Sequence, residues 1–82
     1  MRAMTLDGLA IGAMARIIAV DWLVLAEVEA KRLQALGIDE GAEVSIAHRG
    51  IFVGRDPLAI RIGAMTVALR RSHAHAIAVE ML

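Results

Sequence analysis

Hydrophobic and polar positions alternate with a period of two over four stretches of this chain and recur at helical spacing over one. Glu43 to Arg49 places Val44 and Ile46 inward, with Glu43, Ser45 and Arg49 outward. Leu58, Ile60 and Ile62 alternate with Ala59 and Arg61, and Met65, Val67 and Leu69 alternate with Thr66 and Ala68. Gly63-Ala64 between those two runs is a two-residue loop with glycine first, as a type II′ hairpin requires. Ile77, Val79 and Met81 form a last strand. Ahead of them, Ala13 to Val20 carries β-branched Ile17, Ile18 and Val20 with Arg16 as its one charge, which predicts a first strand with unequally buried faces.

The helical stretch runs from about Val24 to Leu36, with Leu25, Val28 or Glu29, Arg32 or Leu33, and Leu36 near one stripe. Glu27 and Glu29 stand early and Lys31 and Arg32 late, which complements the macrodipole, and Glu27 can pair with Lys31 at i,i+4. Gly37 supplies a left-handed residue after the last turn, and Ile38 can fold back on Leu33 in a Schellman stop. Thr5 to Leu9 reads as a short turn, and Gly41 opens a tight turn into the strand at Glu43. Gly50 to Asp56 reads as a loop, with Pro57 confined to a strand start or edge. Ser72 is placed to cap a single helical turn through His73 to Ala76.

About five short strands, one α-helix and a short helical turn predict a mainly β fold. A lone open sheet exposes two edges, so a small curled barrel with the helix filling one opening is the expected architecture. With 82 residues and one proline, residues 1–82 are expected to form a single domain.

Composition sharpens this picture. Hydrophobic residues make up 59% of the chain, but much of that is alanine, with one Trp, one Phe and no Tyr, so the core must be thin and close-packed. The apolar surplus is expected to cover a partner or a second copy of the chain. Nine basic and nine acidic side chains cancel without forming a basic stripe, which argues against nucleic acid. No run approaches the ~20 apolar residues of a membrane span, and Asp7 and Arg16 interrupt any signal-peptide core. A cytoplasmic location without membrane insertion is the expectation, and the absence of Cys is compatible with it.

Reactive groups are sparse. His48, His73 and His75 are the one metal-like grouping, yet i and i+2 on a helical turn point apart, and no ligand-spaced carboxylate stands nearby. They read as surface or half-buried histidines. Ser45, Ser72, Thr5 and Thr66 lie in no nucleophile elbow, and no phosphate-cradling glycine motif is present. Asp39-Glu40 and Glu27/Glu29 read as solvated charges. No catalytic residue, cofactor or metal ligand is therefore expected. Two apolar stretches lack an evident internal use, Trp22-Leu23-Val24 before the helix and Ile51-Phe52-Val53 between Gly50 and Gly54. Either these side chains plug the barrel ends or they form a contact patch, in which Trp22, Leu23, Ile51, Phe52 and Val53 bind a partner.

Leu6, Gly12, the run Arg32-Leu33-Gln34-Ala35-Leu36-Gly37-Ile38 and then Gly41 resemble the signature of the FeoA family. Asp56-Pro57, Val67-Ala68-Leu69-Arg70, Ala74 and Ile77-Ala78-Val79 resemble its C-terminal half, so the likeness extends from Leu6 to Glu80. Two segments depart from the pattern: Trp22 to Val28 is more apolar than the usual Gly-rich link, and Arg55 interrupts a Gly-Asp-Pro run. The resemblance implies an SH3-like barrel acting as a non-enzymatic accessory of bacterial ferrous-iron uptake, with a FeoB-type membrane Fe(II) transporter as its partner. Two alternatives stand beside it. One is a stand-alone regulatory module related to the C-terminal domain of DtxR-type iron-dependent repressors; the other is a small metal-binding protein using His48, His73 and His75.

Overall fold

In a computed structural model, which describes residues 4–49 and 56–82, six strands form one antiparallel sheet. They are β1 (Met4–Thr5), β2 (Met14–Val20), β3 (Glu43–Arg49), β4 (Leu58–Ile62), β5 (Met65–Leu69) and β6 (Ile77–Met81). Two helices, α1 (Glu27–Ala35) and α2 (Arg71–Ala74), and two 3-10 turns, Leu6–Gly8 and Trp22–Val24, complete the fold. The sheet order is β1-β6-β2-β3-β4-β5, so the C-terminal strand inserts between the first two. The mainly β architecture is as expected, with one strand more: β1 has only two residues, pairing Met4 with Val79 and Thr5 with Ala78.

The inward alternation holds where it was clearest. Val44, Ile46, Leu58, Ile60, Ile77 and Val79 are fully buried and meet Leu6, Leu9, Ile17 and Leu33 in one core. In β2 the register against β6 shifts between Ile17 and Ala19, so Val20 rather than Ala19 turns inward and Ile18 is left 38% exposed. Pro57 directly precedes β4, and the Asp56–Pro57 peptide is cis. Gly63, at φ +56°, leads the two-residue turn from Ile62 to Met65. Gly41 N–H donates to Ile17 C=O while Ile17 N–H donates to Ala42 C=O, both at 2.8 Å, which locks the tight turn onto β2.

The helix stop is the motif the sequence predicts. Ile38 N–H reaches Leu33 C=O at 2.9 Å, Gly37 N–H reaches Gln34 C=O at 3.0 Å, and Gly37 has φ +89°. Leu33 and Ile38, both fully buried, supply the accompanying apolar contact. The helix start differs from the expectation. Residues 22–24 form a separate 3-10 turn, and α1 begins only at Glu27. Within α1 only Leu33 is buried, while Val28 is 82% exposed, so the predicted stripe narrows to one anchor with Ala30 beside it.

Two further corrections concern α2. Its N-cap is Arg70, which makes no side-chain cap, and Ser72 lies inside the helix rather than capping it. The cap comes from a distance: Asp56 Oδ1 accepts the Arg71 N–H at 2.9 Å.

Candidate functional site

Asp21 shapes the surface that stands out. Its N–H donates to Ala76 C=O at 2.8 Å, tying the end of β2 to the residue before β6. Its side-chain oxygen accepts the Leu23 N–H at 3.3 Å, and the Leu25 N–H closes the 3-10 turn on Trp22 C=O at 3.3 Å. Trp22 packs half-buried against the core and Leu25 is buried, so the turn is anchored at both ends. The residues between them face out: Leu23 is 96% exposed and Val24 66%, with exposed Val28 following in the first turn of α1. Covering one such leucine contributes about 1.5–3 kcal/mol, which makes this ledge a source of association energy.

Beside the ledge lies an open concavity of about 590 Å³, lined by Thr5, Asp21, Val24, Ser72, His73 and His75 among others. The two histidines turn to different carboxylates. His75 Nδ1 lies 3.3 Å from Asp7 Oδ2, and the Thr5 hydroxyl donates to the other Asp7 oxygen. His73 Nδ1 lies 3.4 Å from Glu29 Oε2, near enough for an ion pair once the ring is charged but without hydrogen-bond geometry. Partial burial raises the Asp7 pKa, but the Thr5 hydroxyl and His75 outweigh it and hold that carboxyl below its ordinary value. Glu29 is lowered chiefly by the Arg32 guanidinium, which donates to it at 2.7 Å.

The other sequence-predicted residues scatter. His48 sits on β3, away in sequence and element from His73 in α2 and from His75 at its C-cap. Among the described residues no three His, Asp or Glu side chains converge as a metal site would require. Glu27 pairs with Lys31 at 3.2 Å, as its spacing predicts, and Asp39 accepts the Glu40 N–H in a turn, so these carboxylates are structural or solvated. Of the contact residues, Trp22 supports the ledge from below and Leu23 forms it, while Ile51, Phe52 and Val53 lie outside the described residues. Sequence reasoning passed over Asp21 and set Val28 on the helical stripe, whereas the structure leaves it exposed. Asp21 before an apolar triplet was the available signal for a capped turn.

The fold is that of a small SH3-like domain. It superimposes on FeoA of Stenotrophomonas maltophilia, a procaryotic SH3 domain protein complexed with zinc, with a TM-score of 0.79 and 36% identity over 95% of this chain and 91% of that one. A FeoA-like protein from Clostridium acetobutylicum matches with a TM-score of 0.78 and 26% identity, over 100% of this chain and 90% of that one. IdeR of T. acidophilum shares the fold at 18% identity, with a TM-score of 0.75 over all of this chain and 35% of that one. No curated protein sequence matches the chain. The FeoA domain model matches residues 4–81, and the chain belongs to that family.

Proposed function

We infer that residues 1–82 act as one FeoA-type unit, a non-enzymatic accessory of bacterial ferrous-iron uptake that docks in the cytoplasm on a FeoB-type membrane transporter. Family membership and a FeoA relative described in connection with bacterial ferrous-iron transport activation support the iron-transport setting. The observation that carries the docking mode is Leu23, an apolar side chain held 96% exposed by an anchored turn. A leucine left to solvent by flexibility needs no partner; one fixed outward by Asp21, Trp22 and Leu25 is preorganised for one. In this reading Leu23 is the central anchor, Trp22 stiffens it, and Ile51, Phe52 and Val53 provide a second apolar contact. Among the described residues no helix is long and apolar enough to cross a membrane.

The test is ferrous-iron uptake in cells lacking the gene and carrying the transporter. Re-expression of the chain restores uptake, and a Leu23→Asp chain present at equal level does not. Equal rescue by both sinks the ledge as the docking site; no rescue by either sinks the transport reading.

A further inference from the structure

The sheet ends on β5, whose one strand neighbour is β4. The two-residue turn makes Ile62 and Met65 a hydrogen-bonded pair, and pairing then alternates through Ile60/Val67 and Leu58/Leu69. Thr66 and Ala68 therefore aim their backbone N–H and C=O groups away from β4. The Arg32 guanidinium confirms this direction, because its Nη2 reaches Ala68 C=O at 3.4 Å from outside the sheet. Among the described residues, no other hydrogen bond meets the outward groups of Thr66 or Ala68. The usual protections of an edge are missing from the strand itself: Met65-Thr66-Val67-Ala68-Leu69 has no charge, no proline and no bulge.

The surroundings state what the edge accepts. Residues 57–79 contain Arg61, Arg70 and Arg71 and no Asp or Glu. Asp56, just before them, is engaged at the Arg71 N–H. Arg61 is directly across from Thr66 on the exposed face of the hairpin and makes no ion pair among the described residues. A strand added beyond β5 would lie two strand spacings from Arg61, roughly 10 Å, which an arginine and a glutamate side chain span together over the small Thr66. A second copy pairing β5 with β5 would add another Arg61 to the same face and no carboxylate from its hairpin. We propose that the β5 edge binds an extended acidic segment of another protein, added as a seventh strand at Thr66 and Ala68 and read by Arg61. Arg32 occupies only the Ala68 C=O, so the added strand is held by the Thr66 N–H and C=O and by the Ala68 N–H. This surface is separate from the Leu23 ledge and does not depend on the transport reading.

The experiment titrates the labelled full chain with a short capped peptide of alternating Glu and Val, followed by amide NMR. The account expects the Thr66 and Ala68 amides to shift and gain exchange protection, and the matching Lys/Val peptide to leave them unchanged. Thr66→Pro removes an outward N–H without touching the β4 ladder and weakens binding about tenfold. Arg61→Glu keeps every backbone group and inverts the preference toward the Lys/Val peptide. Unmoved Thr66 and Ala68 amides at about 2 mM acidic peptide, well past a weak-binding regime, overturn the proposal. So do equal effects of the two peptides, or concentration-dependent protection of Thr66 in the chain alone, which would make the occupant a second copy.

Discussion

The Asp56 carboxylate accepts the backbone N–H of Arg71 at 2.9 Å, so α2 is capped by a residue on the opposite side of the β4–β5 hairpin. The contact closes the hairpin at its base and fixes the direction in which α2 carries His73 toward Glu29 and His75 toward Asp7. A four-residue helix has no stability of its own, so its geometry depends on this cap and on buried Ala74.

Asp56→Ala is expected to cost about 1 kcal/mol, the usual loss of an N-cap acceptor, read as a lower urea midpoint at unchanged slope. Asp56→Asn keeps an acceptor oxygen and recovers most of the loss. A null effect of the alanine variant would show that the cap contributes nothing.

Gly37→Ala tests the Schellman stop. An added Cβ would meet Ile62 Cδ1 at 3.7 Å, an ordinary contact, so space is not the obstacle. The backbone is: φ +89° costs an L-residue about 1–2 kcal/mol. Leu33→Ala, at the buried anchor beside it, is expected to cost about 2–5 kcal/mol by leaving a cavity. Thermal unfolding should rank the two in that order.

Asp7 and Glu29 set an acid limb. Both carboxyls are held below their ordinary values of 3.8 and 4.5 in the folded chain. A carboxylate with a depressed folded pKa stabilises fully above its unfolded value and loses that contribution as pH falls through the folded one. Stability should therefore hold down to about pH 5 and decline below pH 4. Asp7→Asn and Glu29→Gln should each start lower at pH 7 and show a shallower decline. Parallel curves for variant and parent would contradict the assignment.

What was legible in the sequence was local. The α1 stop needs only Leu33, Gly37 and Ile38, and the hairpin turn only Gly63 between two alternating runs, so short-range chemistry decides both. The start of α1 was misread because Leu25 and Val28 fit a helical stripe, whereas Asp21 capping Leu23 and the half-buried Trp22 divert the chain into a 3-10 turn first. Ser72 resembled a cap because the true acceptor, Asp56, stands fifteen positions away in sequence. Two-residue β1 is too short to show a period. The ledge was half visible: Leu23 stood out as surplus, but which neighbour would support it and which would be exposed is a matter of tertiary packing.

The central claim is that an outward-fixed Leu23 docks on the transporter, and binding of the purified chain to the cytosolic region of a FeoB-type transporter tests it most directly. Leu23→Asp, at an exposed site, should leave the unfolding midpoint within about 0.5 kcal/mol of the parent while weakening the complex by about 2 kcal/mol or more, as loss of a central anchor does. An equally tight complex with a folded Leu23→Asp chain would contradict the account.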